Sequence, residues 1–378
     1  VRSAVADIKH TAMHGLLFGQ RRIVLLEAGF RFGADGALLF DLKSDFLELA
    51  TDLAAARGDA ILGAASRQEA GGSLMLSAGG VLQMSGTSSA VQDQSLQAGL
   101  DALLDGVLAT RHGTLSATAL RDLRIAPGGR LQSGAGLALA AGDALTHAGF
   151  AVAGARADLS ANTALSNTGS VLAAGDLRVR ASGLLHNAGR LVAGVDADGG
   201  LSLPGKDMTL SANGLQMDGG ALSAVEKMTL ASTGDIDTTG AALHAGALGL
   251  SAVHLRNQNG TLTAEGEARV KLSESLDNTH GTLAGGDLAI ATAGAIDNRN
   301  GLIHADGTLA LSAADLDNTA GRIASQGDAS IETDVLKNGQ GELVAGQNLS
   351  VRVKTWQDLG ALRSGGDLSL DYAGSLNQ

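Results

Sequence analysis

Carboxylates recur in the C-terminal half of the chain at a spacing that first invites a catalytic interpretation. Asp277, Asp297 and Asp317 follow one another at intervals of 20 residues. In a β-helical polysaccharide lyase or hydrolase, converging carboxylates would act as the acid and the base. A catalytic site is a local exception in a sequence, whereas these residues return with each repeat. The periodicity therefore favours exposed structural positions, and no catalytic residue is assigned.

The remaining chemistry-bearing residues predict neither a metal site nor a cofactor site. His10 and His14 have the i,i+4 spacing of a helical metal pair, but no third ligand accompanies them in a recognisable frame. The chain has 0 cysteines, which excludes disulfides, thiolate nucleophiles and cysteine-ligated zinc. Gly-Asp turns such as Gly286-Asp287 lack the tandem nine-residue frame of calcium-binding β-rolls. We therefore expect no cofactor and no bound metal.

One polar series is more regular than any of these candidates. An asparagine, and finally an aspartate, returns with each repeat and is followed by glycine two or three residues later. A periodic amide array could bind a ligand or ice, but asparagine also suits turn backbones and stacks its amides from coil to coil. We therefore predict a structural turn ladder, made of Asn257, Asn278, Asn298, Asn318, Asn338 and Asp358.

An apolar series with the same period predicts the fold. Segments such as 301–305 alternate apolar and polar residues with a period of two, which indicates strands. Strands this short are stable only if each pairs with its counterpart one repeat along, as in a parallel β-helix. A leucine-rich horseshoe shares the period but needs an L-x-x-L-x-L frame that is missing here. The predicted core column is Leu276, Ile296, Leu316, Leu336, Trp356 and Leu376.

The composition agrees with a large core that contains almost no aromatic rings. Of 378 residues, 54 are glycine and 2 are proline, and the aromatic share is 2% against 44% hydrophobic residues. The net charge of −12, without clustered Lys or Arg, argues against a nucleic-acid partner. No apolar run is long enough for a membrane-spanning helix. The fold class is therefore predicted as all-β, with coils of about 20 residues.

Three regions are predicted along the chain. Residues 1–60 hold five of the six phenylalanines and are interpreted as a cap or a small flanking domain. Residues 61–129 form irregular, glycine-punctuated coils, within which the leucines of 94–108 have helical spacing. Residues 130–378 form regular β-helix repeats, with an insertion near 194–207. Because the chain starts at Val1 without a signal-like segment, we expect a fragment of a longer protein.

The repeat resembles that of the two-partner secretion exoproteins, which include the filamentous haemagglutinins and the contact-dependent growth inhibition exoproteins. The phrase L-D-N-x-x-G is visible at Leu276–Gly281 and Leu316–Gly321, and its continuation at Gly301–Ala313. The resemblance covers residues 130–378 well and the first hundred poorly. It implies a right-handed parallel β-helix, export through an outer-membrane partner transporter, and a secreted location on the bacterial cell surface.

The resemblance and the repeats together predict a structural rod segment that displays an adhesive or toxin-delivery region away from the cell. A second hypothesis is that the segment itself is an adhesin, which binds a cell-surface receptor through residues 1–110 or Ala193–Met208. A third is a β-helical polysaccharide lyase or hydrolase, but we expect no enzyme. The alternation further predicts that Leu316 and Ile323 point inward and that Ala324 is exposed.

Overall fold

The computed structural model describes residues 30–32, 38–40, 47–48, 52–195 and 206–372. Most of the predicted cap at 1–60, most of the insertion near 194–207, and Leu376 lie outside the described residues. The described residues contain strands and turns but no helix. The chain is an all-β, right-handed parallel β-helix, so the predicted fold class is confirmed. The predicted boundaries at residues 60 and 129 stay predictions.

The chain divides into two compact units, Val1–Ser182 with Gly194–Pro204, and Gly183–Ala193 with Gly205–Gln378. In the first unit each coil contains a five-residue, a three-residue and a four-residue strand, joined by tight turns. Apart from Phe30–Phe32, every described strand of this unit pairs in parallel with its counterpart one coil along, as Leu96 does with both Leu76 and Ala117. One antiparallel pair, Phe30–Phe32 with Leu38–Phe40, precedes this regular stacking.

The strands of the first unit form three faces, and the strands within each face run parallel to one another. The first face consists of Asp52–Ala56, Leu74–Ala78, Gln94–Ala98, Leu115–Ala119, Leu137–Ala141, Ala157–Ala161 and Leu177–Ala181. The second consists of Leu38–Phe40, Ala60–Leu62, Leu82–Met84, Ala102–Leu104, Leu123–Ile125, Leu145–His147 and Leu165–Asn167. The third consists of Leu47–Glu48, Arg67–Ala70, Thr87–Ala90, Val107–Thr110, Arg130–Ser133, Phe150–Ala153 and Ser170–Ala173.

The second unit has the same parallel pairing, but most of its coils fuse neighbouring strands into one long bent strand. Its first strands are Leu184–Asn187, Arg190–Ala193, Met208–Ala212, Gly214–Gln216, Ala221–Ser232, Ile236–Asp237, Ala242–Arg256, Thr261–Ala264, Ala268–Asp277 and Thr282–Gly285. The others are Leu288–Thr292, Ala295–Asp297, Leu302–Ala305, Leu309–Asp317, Arg322–Ser325, Ala329–Lys337, Glu342–Ala345, Leu349–Gln357, Ala361–Ser364 and Leu368–Tyr372.

The core of the second unit is built from columns of aliphatic side chains. Leu276 pairs with Ile296, and Ile296 pairs with Leu316, so residues about 20 positions apart lie directly above one another. The column continues through Leu336 to Trp356, and all five side chains are buried. Side chains alternate between the two faces of each strand, so inward residues line the interior and outward residues face solvent.

Two local expectations are wrong for identifiable reasons. The helical spacing of residues 94–108 does not produce a helix: the segment forms strands in which Leu96 and Leu104 are buried while Leu100 is exposed. Here turns of three and two residues between short alternating strands imitate a helical period. Ala324 does point away from the core column, yet it is only 4% exposed. Its strand partners are His304 and Val344, whose larger side chains flank and shield a single methyl group.

Candidate functional site

Five buried asparagines of the second unit form one continuous chain of side-chain hydrogen bonds. The Nδ2 atom of Asn278 donates to Oδ1 of Asn298 at 2.7 Å, and Asn298 donates to Asn318 at the same distance. Asn257 donates to Asn278 at 2.7 Å and Asn318 to Asn338 at 2.8 Å. All five side chains are 0% exposed. We call Asn257, Asn278, Asn298, Asn318 and Asn338 the asparagine ladder.

Both ends of the asparagine ladder are closed by other groups. At the N-terminal end, the Thr238 hydroxyl donates to Oδ1 of Asn257 at 2.9 Å. At the C-terminal end, Nδ2 of Asn338 donates to the backbone carbonyl of Leu359 at 3.0 Å. Asp358 lies outside this chain of side-chain hydrogen bonds: it is exposed, and its backbone carbonyl accepts a bond from the backbone N–H of Asn338 at 3.1 Å. The ladder is therefore satisfied internally along its length.

The backbone around each ladder residue forms a tight turn that its sequence makes possible. In the turn that starts at Asn298, the Gly301 N–H donates to the Asn298 carbonyl at 3.0 Å. The third turn residue, Asn300, has φ of 55°, in the left-handed region. A Cβ at Gly301 would lie 2.3 Å from the carbonyl oxygen of Asn278 on the preceding coil. Glycine is needed there because the backbones of successive coils approach too closely for a side chain.

The periodic aspartates support these turns, a role that the sequence analysis missed. Oδ1 of Asp277 accepts bonds from the Thr279 N–H at 3.0 Å and from the Thr279 hydroxyl at 2.6 Å. Asp317 and Thr319 repeat this arrangement with the same distances. Such an Asx turn fixes the entry into the ladder turn. The recurring Asp-Asn-Thr sequence was the available signal.

Asp297 differs because an arginine replaces the threonine. Burial acts to raise the pKa of Asp297, but hydrogen bonds from the Arg299 side chain and backbone lower it overall. The ionised carboxylate is thus held by its own turn. Asp277, Asp297 and Asp317 are strand partners on consecutive coils. Each of the three carboxylates accepts at least one hydrogen bond within its own turn.

A second set of aspartates, in the Gly-Asp turns, ties each coil to the next. Asp287 accepts bonds from the Thr308 N–H and hydroxyl, each at 2.8 Å, and these bonds lower its pKa. Asp328 accepts from the Asn348 N–H at 3.0 Å and from its side-chain amide at 2.9 Å. These carboxylates satisfy backbone donors one coil further along. They therefore act as caps that join one coil to the next.

The first unit has a shorter polar column at the corresponding strand end. His147 and Asn167 are strand partners, both 0% exposed, and His147 Nδ1 lies 2.8 Å from Oδ1 of Asn167. The positions below them in this column are apolar, with Ile125 directly beneath His147. Nothing in the sequence spacing marked His147, since histidines are scattered along the chain.

The described residues contain neither of two features that would point to other functions. Among the described residues, no group of three or more His, Asp or Glu side chains could hold a metal ion. None of the described residues belongs to a helix with the length and apolar character needed to cross a bilayer. The polar residues that recur are instead used to join coil to coil.

These features define a parallel β-solenoid repeat protein whose interior amides stack in register. Five matches to the haemagglutinin repeat family, of which the first four overlap, cover residues 152–203, 195–251, 236–300, 283–353 and 357–378. The chain therefore belongs to the haemagglutinin repeat family, of the filamentous haemagglutinin type, as its repeat predicts. No curated protein and no solved structure compared with the chain shows significant similarity to it.

Proposed function

We propose that this chain is a structural rod segment of a large secreted bacterial surface exoprotein. Its coils would hold an adhesive or toxin-delivery region away from the cell. The observation that carries this proposal is the asparagine ladder, because its polar groups are consumed in coil-to-coil contacts. A repeat whose recurring polar residues serve stacking is suited to setting length rather than to recognising a ligand.

Membership of the haemagglutinin repeat family supports the cellular setting of this proposal. Proteins with such repeats are exported by two-partner secretion, so we propose an outer-membrane partner transporter and a location at the bacterial surface. A chain that crosses the outer membrane unfolded benefits from repeats that fold by adding each new coil to the previous one.

A second candidate function is adhesion by the segment itself, and one observation favours it. Leu100 and Leu120 occupy neighbouring coils of the first unit and are 46% and 76% exposed. Exposed leucines that lie on adjacent coils can contribute apolar area to a contact surface. A receptor bound here would involve the first unit and not the asparagine ladder.

The test removes two whole coils from the complete exoprotein. Deleting residues 298–337, which are 40 residues, joins Asp297 to Asn338 and keeps the ladder in register. A spacer segment should still be exported, and its distal region should still bind its target. Deleting residues 298–327, which are 30 residues, is the matched control because it breaks the register.

Surface display is measured with antibody against the distal region, and adhesion by cell binding. Loss of adhesion in the 40-residue deletion, with display intact, would contradict the spacer function of these coils. Loss of adhesion only after Leu100→Ser with Leu120→Ser would favour the second candidate. Turnover of polysaccharides that disappears with Asp297→Asn would instead establish the enzyme hypothesis.

A further inference from the structure

The buried imidazole of His147 has no part in the asparagine ladder, and one of its nitrogens has no hydrogen-bond partner. It lies at the end of the strand Leu145–His147, in the interior of the first unit. Its strand partners are Ile125 on one side and Asn167 on the other. The ring therefore lies where the column changes from apolar to polar.

The hydrogen bonds of Asn167 determine which nitrogen of His147 carries the proton. Nδ2 of Asn167 donates to the carbonyl of Gly169 in its own turn at 3.4 Å, so its Oδ1 faces the ring as an acceptor. Nδ1 of His147 must therefore be the donor. Nε2 then carries a lone pair, is buried, and has no hydrogen-bond partner.

A second proton on this ring would meet no acceptor and no compensating charge. The strands of this coil and its two neighbours carry Arg124, Arg130 and Asp158 as their other ionisable residues. All three alternate onto the outward side, where Arg124 and Arg130 are exposed and Asp158 pairs with Arg156. An imidazolium at His147 would thus be a buried, unpaired charge, which is costly in an apolar interior.

We propose that His147 is an acid-sensitive switch in the core of the first unit. When the surroundings turn mildly acidic, the coils between Leu137 and Ala173 open so that the ring can take up its second proton in water. The ligand of this switch is the proton. The structure that opens and closes is the stack formed by Leu145–His147 and its neighbouring strands.

The direction of the pH effect follows from the burial of the ring. Burial lowers the pKa of His147 below its ordinary value of 6.5, and the bond with Asn167 opposes this only in part. The folded state therefore favours the neutral ring. The stabilisation is fully present above about pH 6.5 and is lost as the pH falls towards the lowered pKa.

Two substitutions keep the position filled while removing the titrating group. His147→Leu matches Leu104, which occupies the same column two coils earlier. His147→Asn matches Asn167 and retains a donor towards its Oδ1. His112→Leu removes an exposed histidine of the same unit and is the control for general histidine titration.

The experiment compares limited proteolysis and thermal unfolding of the four proteins at about pH 7.5 and about pH 5.5. The wild-type chain and His112→Leu should become cleavable within 137–173 and lose melting temperature at the acid pH, whereas both His147 variants should not. Equal acid sensitivity in wild type and His147→Asn would overturn the proposal. Histidine NMR of the wild type gives a check without mutation: a His147 imidazole in the folded chain that takes up its second proton at or above the ordinary value of 6.5 would also overturn it.

Discussion

At the scale of single residues, asparagine is the side chain that can repeat at this position without leaving a group unsatisfied. Its amide supplies both a donor and an acceptor, so identical residues bond in series. In the turn of Asn298, Nδ2 also lies 3.3 Å from the Gly301 carbonyl. An aspartate at each rung would place acceptors against acceptors. An alanine would leave the neighbouring amides and carbonyl without partners.

Asn298→Ala should therefore lower the free energy of unfolding by about 1–3 kcal/mol, because two buried neighbours lose a partner. Urea denaturation followed by circular dichroism measures the change. Arg299→Ala, which removes an exposed side chain paired with Asp297, should cost much less, because water screens that ion pair. Equal shifts for the two variants would contradict a stabilising role for the ladder.

Residues that recur with the coil could be predicted from the sequence, whereas a residue that occurs once could not. The asparagine series could be found because it recurs with the coil. The support given by Asp277 and Asp317 was missed because Asx turns depend on local backbone geometry, although the following Thr279 and Thr319 signalled it. His147 could not be found at all, since a single buried histidine carries no repeat signal and its column partners are apolar in the preceding coils.

At the scale of structural elements, the turn after each ladder residue combines strain with close approach. Ala320 has φ of 54°, a left-handed conformation that costs a non-glycine residue roughly 1–2 kcal/mol. Its neighbour Gly321 has no room for a Cβ, which would lie 2.1 Å from the Asn298 carbonyl. Both positions therefore favour glycine, position 320 because of its left-handed backbone and position 321 because the preceding coil lies so close.

Ala320→Gly should raise the free energy of unfolding by up to about 1 kcal/mol, because the strain of the left-handed alanine is removed. Gly321→Ala should lower it, since the preceding coil must move to admit the methyl group. Both changes are read from urea denaturation against the wild type. A stabilising Gly321→Ala, or a strongly destabilising Ala320→Gly, would show that the turn geometry differs from that described.

Element boundaries were harder to predict than element type. Alternation identified strands correctly at Leu302–Ala305 and Arg322–Ser325. It failed over 94–108, where turns of three and two residues bring leucines into helical spacing by coincidence. It also misjudged Ala324, because exposure depends on the size of the neighbours across the sheet as well as on the direction of the side chain.

At the scale of the whole molecule, the period of the repeat determines the fold. Residues about 20 apart become strand neighbours, so a one-dimensional spacing determines the three-dimensional pairing. This explains why the fold could be predicted without aromatic residues or disulfides to guide it. It also explains why function could be predicted only coarsely, since the features that recur are those that serve stacking.

In the second unit, each coil is expected to lengthen the stack by one strand spacing. The outward column Arg269, Ala289, Ala310, Ser330, Ser350 and Ser369 tests it, because these residues are strand partners in turn. The chain has 0 cysteines, so paired cysteines introduced at exposed positions can carry spin labels without interference.

Electron paramagnetic resonance should then be measured for Arg269→Cys with Ser330→Cys, and for Arg269→Cys with Ser369→Cys. At about 4.8 Å per coil, the expected label separations are about 14 Å for three coils and about 24 Å for five. Distances that grow in proportion to the number of coils would support the stacked repeat. A distance for the five-coil pair that is equal to or shorter than that for the three-coil pair would contradict it.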